Sequence, residues 1–319
     1  GVTARCARIL ARSSRYNQPM WSALLFACTP SPLDSAEPAD TSLDPANDSA
    51  DTDAADTSSG DTADSASTDP ITVSGFASPE SVLYDAEGDV YLVSNINGGP
   101  ADLDDNGFIS KLAPDGTVLD LYFIDGASPT VELNGPKGSY IKGDWLWVAD
   151  IDVVRVFDRE TGAPLHTFPV AGSTFLNDLT GNGEDGVFVS DSAVSDGTTS
   201  LWAVNSGGDT FLQTTGTDLA KPNGLLFQYP SILALSDGGV VTVELNGQIA
   251  SREELPAGKL DGIVVDQTGR YLVSSWDSES IYGSSDAGWE VVATDLPSPA
   301  DIGYDATRNR LLIPLFQEN

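Results

Sequence analysis

Positive charge, histidine, cysteine and methionine are all scarce in this chain. Its 319 residues hold 15 Lys+Arg against 48 Asp+Glu, a formal charge of -33, with one His, one Met and two Cys. A surface this acidic is repelled by a phosphate backbone, which argues against nucleic acid as a partner. No run of about 20 apolar residues occurs, so no helix is expected to span a membrane. Cys6 and Cys28 both precede the part that reads as folded, which leaves that part without a disulfide or cysteine chemistry. The one histidine, His166, lies in Pro164-Leu165-His166-Thr167-Phe168, an outer-strand context. That removes a Ser-His-Asp triad and any paired-His site from consideration. What remains is 40% hydrophobic, with 31 Gly and 19 Pro, a globular composition rich in turns.

The charge divides the chain in three. Residues 1–28 carry four arginines (Arg5, Arg8, Arg12 and Arg15) and no acid, and residues 29–70 carry eleven acids and no base. Residues 71–319 carry the other 37 acids and 11 bases, a net of -26. In the first part a basic stretch precedes Trp21-Ser22-Ala23-Leu24-Leu25-Phe26-Ala27-Cys28, a short apolar run ending in small residues. That is the pattern of an export signal. Leu25-Phe26-Ala27-Cys28 also resembles a bacterial lipobox, whose Cys becomes a lipidated N-terminus. The expectation is an exported protein in the bacterial periplasm or at the cell surface, anchored by lipid on Cys28. The competing reading is a chance apolar heptad in an upstream extension. Residues 29–70 are nearly all Asp, Ser, Thr, Ala and Pro. They offer too little apolar surface to offset chain entropy and read as a disordered, solvated tether.

From Ile71 onward a motif recurs. A loop leads to a polar residue and a small or apolar strand, then to a turn and a second apolar strand. The first three copies are Ser78–Asp85 with Val90–Ser94, Gly135–Gly138 with Trp145–Asp150, and Leu176–Leu179 with Val187–Asp191. The next three are Lys221–Gly224 with Ile232–Ser236, Lys259–Gly262 with Tyr271–Ser275, and Pro299–Ile302 with Leu311–Pro314. Six copies at intervals of roughly 40–57 residues match the period of four-stranded propeller blades. Ala86-Glu87-Gly88, Pro114-Asp115-Gly116, Asp237-Gly238-Gly239 and Gln267-Thr268-Gly269 supply hairpin turns. Helical periodicity is almost absent. The fold expected over residues 71–319 is therefore all-β, one six-bladed β-propeller closed radially. In its last blade, 302–305 and 310–315 give the inner strands and Ile71 to Phe76 the outermost, which leaves no sequence for the third. That blade is then short, or the chain is truncated at its C-terminus; a first residue of Gly points to a fragment as well.

The polar residue that opens each copy sits where its strand enters the central channel. In order these are Glu80, Lys137, Asp178, Asn223, Asp261 and Asp301, with Asn177 just before Asp178. Four carboxylates around one axis repel and raise each other's pKa. A hard cation with oxygen ligands resolves that conflict, and Ca²⁺ takes about six to eight oxygens from carboxylates, amides and waters. At this point the chain resembles the senescence-marker-protein/gluconolactonase (regucalcin-like) family of six-bladed propellers and, more distantly, the paraoxonase lactonases. Glu80 falls in the first-blade segment, Asn177-Asp178 matches the "N-D" of the third blade, Asn223-Gly224 the "N-G" and Asp261-Gly262 the "D-G". The resemblance implies that Glu80, Asn223 and Asp261 ligate Ca²⁺ or another divalent cation such as Zn²⁺ or Mg²⁺. It implies that Asn177 holds a metal water or a substrate oxygen. The implied activity is hydrolysis of lactones or related esters, with Asp261 or Asp301 as the carboxylate that deprotonates water.

Two positions depart from those families. Phe175 stands where gluconolactonases carry Arg, and Lys137 where paraoxonases carry His. Lys137 either replaces part of the metal's charge or neutralises a carboxylate of the substrate. Lys221 and Lys259 each precede a ring position by two residues, so three of the five lysines crowd the channel mouth. They are an anion-attracting mouth for a small-molecule substrate or solvated charges offsetting the ring. Asp102-Leu103-Asp104-Asp105-Asn106-Gly107 matches half of a calcium loop, but Ala113 stands at position twelve, and a plain hairpin loop competes with a structural Ca²⁺. Trp145, Trp147 and Trp202 read as blade-packing residues. Two functions remain in view. One is an exported, metal-dependent hydrolase at the propeller axis; the other is a non-catalytic binding scaffold on a lipoprotein tether.

Overall fold

A computed structural model of the chain describes residues 70–193 and 198–317, together with the backbone of Ser22–Cys28. The basic leader before Ser22 and the acidic tether up to residue 69 lie outside the described residues. Six four-stranded sheets follow one another around an axis, a β-propeller, with a single short 3-10 turn at Thr217–Leu219 among the described residues. The innermost strands are Pro79–Asp85, Pro136–Lys142, Leu176–Gly181, Leu225–Gln228, Leu260–Val265 and Gly303–Asp305.

Burial explains the sequence pattern within each blade. The second strands are sandwiched between neighbouring blades, so Val90–Asn95 and Val187–Asp191 are buried along their whole length and read as continuous apolar runs. The outermost strands face solvent, and Ile249–Glu254 is exposed throughout. The hydrophobic core is divided into six clusters, each lying between two adjacent blades. Trp147, Val154 and Val156 of the second blade, for example, pack on Leu176, Leu179 and Val189 of the third. Val73, Phe76 and Leu312 of the sixth blade pack on Val82, Tyr91 and Val93 of the first, which closes the ring. Polar contacts reinforce that closure: Tyr91 Oη donates to Asp305 Oδ2 at 2.6 Å, and Arg308 pairs with Asp89 at 2.7 Å.

The sixth blade is built differently from the others. Ile71–Phe76 is its outermost strand, while Arg310–Leu315 and Gly303–Asp305 form its inner pair. The third place, which the sequence leaves unassigned, holds Ser22–Cys28. This strand runs parallel to both neighbours, with Leu24 opposite Leu312 on one side and Ile71 on the other. The other five blades are antiparallel throughout.

Candidate functional site

The site is set by a device repeated from blade to blade. At the end of the second strand in the first five blades a polar side chain ties down the loop that re-enters the axis. Asn95 Oδ1 accepts from Ala77 N–H at 3.0 Å, Asp150 Oδ1 from Gly135 N–H at 2.8 Å, and Asp191 Oδ1 from Phe175 N–H at 3.0 Å. In the fifth blade the direction reverses, and Ser275 Oγ donates to Gly258 O at 2.8 Å. Each tie anchors the chain two or three residues before a ring side chain, here Glu80, Lys137, Asn177 and Asp261. The glycines after the ring residues have a steric cause. A Cβ on Gly262 would lie 2.2 Å from Ile302 N and 2.7 Å from Asp301 Oδ1, and one on Gly138 would lie 2.0 Å from Asp178 Oδ1. Only glycine lets adjacent inner strands approach this closely.

The ring resolves into two layers. Glu80, Lys137, Asn177, Asn223 and Asp261 line a cavity of about 540 Å³ at one end of the axis. Asp178 and Asp301 are buried but do not line it. Asp178 is tied to the backbone, since Oδ1 accepts from Leu179 N–H and Oδ2 from Leu225 N–H, each at 2.6 Å. Asp301 Oδ2 accepts from Ser81 Oγ at 2.5 Å, and its main chain bridges to the first blade through Asp301 N–H and Glu80 O at 2.8 Å. Lys221 and Lys259 line the rim, where Lys259 pairs with Asp277 at 3.1 Å.

On the cavity floor several buried oxygens lack a hydrogen-bond partner: Glu80 Oε2, Asn177 Oδ1, Asn223 Oδ1 and Asp261 Oδ1. Leaving such a group unpaired costs about 1–3 kcal/mol. The electrostatics agree. Burial pushes the Glu80 carboxyl well above the usual range, the charges of Asp261 and Asp301 push it further, and Lys137 opposes them. Asp261 is raised by burial and then by Asp301, while the polar hydrogens of Trp276 and Asn223 beside it pull the other way. Burial raises Asp178 as well, with Asp301 adding to it. Asp301 is pushed up to about 7 by burial, against the Ser81 hydrogen bond. Lys137 is lowered by burial, against the attraction of Glu80 and Asp150. Its Nζ donates to Gly135 O at 2.9 Å and lies 4.6 Å from the centre of the Phe175 ring.

Among the described residues no group of three or more His, Cys, Asp or Glu is set to hold a metal ion. A cation on this floor would therefore draw on Glu80 and Asp261 together with the amide oxygens of Asn177 and Asn223. That all-oxygen donor set suits Ca²⁺ or Mg²⁺ better than Zn²⁺, which favours nitrogen and sulfur. The half-calcium loop lies apart from the floor, and its Asn106 Nδ2 donates to Asp104 Oδ2 at 2.7 Å. His166 is exposed on the outer strand Pro164–Pro169 and stacks on Phe168. Trp147 is core, with Trp145 and Trp202 packed against it.

The walls of the cavity escaped sequence reasoning. Ile96, Ser192, Asp237, Trp276 and Phe316 all line it, and each directly follows the second strand of its blade. Their shared place in the repeat was the available signal. They carry no common residue type, so the pattern is one of position alone.

No family model matches the sequence, and no curated protein matches it. Solved structures do. A gluconolactonase from Xanthomonas campestris is similar at 18% identity and a TM-score of 0.54, covering 75% of this chain and 83% of that one. A streptogramin B lyase is similar at 11% identity and a TM-score of 0.52, covering 73% and 89%. A catalytically inactive virginiamycin B lyase from Staphylococcus aureus, solved with quinupristin, is similar at 12% identity and a TM-score of 0.51, covering 72% and 89%. Identities this low establish the shared propeller fold.

Proposed function

We propose that this chain is a metal-dependent hydrolase of lactones or related esters, of the senescence-marker-protein/gluconolactonase kind. The observation that carries the reading is the set of unpartnered oxygens on Glu80, Asn177, Asn223 and Asp261, all facing one cavity. Buried oxygens without a partner, two of them on carboxyls whose proton affinity burial raises, are balanced by a hard cation. Ca²⁺ is the first candidate, with Mg²⁺ or Zn²⁺ as the other divalent choices. A bound cation supplies Lewis-acid polarisation of the ester carbonyl. The chain supplies the rest. Glu80, Asn223 and Asp261 hold the ion, and Asn177 orients a water or a substrate oxygen. Asp261 faces the cavity and takes the proton of the attacking water, while Asp301, one layer below, raises its proton affinity. Lys137, Lys221 and Lys259 bind an anionic part of the substrate; Lys259 is weakened in this by its Asp277 partner.

The gluconolactonase likeness supports a small-molecule substrate. The lipobox-like segment supports export to the periplasm or cell surface with a lipid anchor on Cys28. That anchor requires cleavage before Cys28, which would take Ser22–Ala27 out of the sixth blade. One observation favours a second reading, a non-catalytic binding scaffold. The Lys137 ammonium already opposes the charge of Glu80 from inside the ring, so the floor is partly balanced without a metal.

The deciding experiment combines elemental analysis of the purified protein with a lactone panel assayed for the parent, Asp261→Ala and Glu80→Gln. A bound divalent ion and turnover lost in both variants support the hydrolase. Absence of metal together with turnover no faster than buffer transfers the case to the scaffold.

A further inference from the structure

We propose that Lys137 is an amine nucleophile that takes apolar aldehydes and ketones as an imine on its Nζ. The chain has five lysines, and this one is 1% exposed while lining the axial cavity. Lys142, at the far end of the same strand Pro136–Lys142, is exposed. Lys259, on the rim, pairs with Asp277 at 3.1 Å. Among the described residues no ion pair includes Lys137. A buried charge is ordinarily paired, and a lysine left unpaired in a dry site gives up its proton more readily than one in water. The donor count points the same way. An ammonium carries three N–H bonds. Nζ has one oxygen acceptor, Gly135 O at 2.9 Å, and one ring face, that of Phe175 at 4.6 Å. Loss of one proton leaves two N–H bonds for these two partners and a lone pair on nitrogen. Burial favours that loss, against the attraction of Glu80 and Asp150.

The lone pair adds to the carbonyl carbon and forms a C–N bond, giving a carbinolamine. The carbonyl oxygen then leaves as water with the two amine hydrogens, and a C=N bond remains. Nothing is oxidised or reduced. In bulk solution water drives this balance back toward the free carbonyl and amine. Ile96, Pro100, Leu260 and Phe316 give the cavity an apolar wall, which keeps water from the C=N bond and covers the body of an apolar ligand. The volume of about 540 Å³ accepts a molecule of small-ligand size. The step needs no bound cation, so the imine site stands or falls independently of the hydrolase.

The test uses the full chain at neutral pH with butanal and cyanoborohydride, which reduces an imine to a stable secondary amine. Peptide mapping by mass spectrometry reads the labelling rate of each lysine separately. An ordinary lysine is almost wholly protonated at neutral pH, so Lys137 is expected to label at least about tenfold faster than Lys142 on the same strand. Glyoxylate, a polar and charged aldehyde, is run in parallel and is expected to show a smaller preference for Lys137. Labelling of Lys137 at or below the rate of Lys142 overturns the nucleophile and leaves a structural ammonium. A preference for Lys137 that is equal or greater with glyoxylate overturns the apolar ligand class and leaves the imine site standing. Both rates come from one sample of the parent protein, so the outcome does not depend on whether a variant folds.

Discussion

Replacing Asp301 by Asn should stabilise the cation-free protein at alkaline pH, although it removes a hydrogen-bonded carboxylate. Asp301 is buried beneath the cavity, and its carboxyl is pushed up from 3.8 to about 7. A folded-state pKa above the unfolded one means that the folded state binds the extra proton between those values. As far as this group is concerned, stability is greatest below pH 3.8 and is lost as pH rises through about 7. The shift spans about three pH units at roughly 1.4 kcal/mol each, so by pH 8 the ionised group costs the fold on the order of 4 kcal/mol. Asn cannot ionise and escapes that cost. It weakens the bond from Ser81 Oγ, now 2.5 Å to a carboxylate oxygen. A bond to a charged group is worth about 1.5–3 kcal/mol, and an amide oxygen retains part of it. The expected net gain at pH 8 is about 2 kcal/mol, or roughly 4–8 °C in Tm for a domain of this size. At pH 5 the parent holds its proton, and the variant should be no more stable than the parent. Thermal and urea unfolding in chelator at pH 5 and pH 8 measure both. A variant that gains nothing at pH 8, or an unchanged difference between the two pH values, would refute the claim that Asp301 is forced to ionise in a dry site.

Three further outcomes follow from the same geometry. Asp178→Asn should destabilise the fold by about 2–3 kcal/mol, because its two oxygens each accept a backbone N–H and an amide offers only one oxygen; calorimetric calcium affinity should stay within about threefold of the parent, since Asp178 does not line the cavity. Lys137→Met should tighten calcium binding about tenfold, because it removes the positive charge facing Glu80 and over the Phe175 ring while keeping an unbranched chain in its place; equal or weaker binding would show that the ammonium does not compete with a cation. Deleting residues 1–28 should lower Tm by several degrees through loss of the strand between Arg310–Leu315 and Ile71–Phe76. An unchanged Tm would mean that the blade is stable without it, as a protein cleaved before Cys28 requires.

The repeat was readable because the propeller writes itself into sequence at two places. The second strand of each blade is buried on both sides, so Val90–Asn95 and Trp145–Asp150 stand out as apolar runs. The residues entering the axis sit behind fixed loops, so Glu80, Asn223 and Asp261 fall at the same place in their copies and are found together around one cavity. The order of the ring was legible for this reason. Its depth was not. Asp178 and Asp301 occupy repeat positions similar to those of Asn223 and Asp261, yet they turn into backbone and Ser81 contacts below the floor. Which carboxylate lines the cavity is settled by contacts between neighbouring inner strands, and a local pattern does not encode those contacts.

By itself the sequence determined the number of blades, the inner strands and the acidic ring with its single lysine. These depend on residue type and period, which the chain displays directly. Tertiary structure decided the rest. It separated the ring into residues that line the cavity and two, Asp178 and Asp301, that do not, and it left one oxygen each of Glu80, Asn177, Asn223 and Asp261 without a hydrogen-bond partner. It brought Trp276 and Phe316, forty residues apart, into one aromatic wall. It also placed Ser22–Cys28 beside Ile71–Phe76 in a parallel pairing that no period announces. Contacts of this kind arise between blades, where burial and desolvation are set by neighbours distant in sequence.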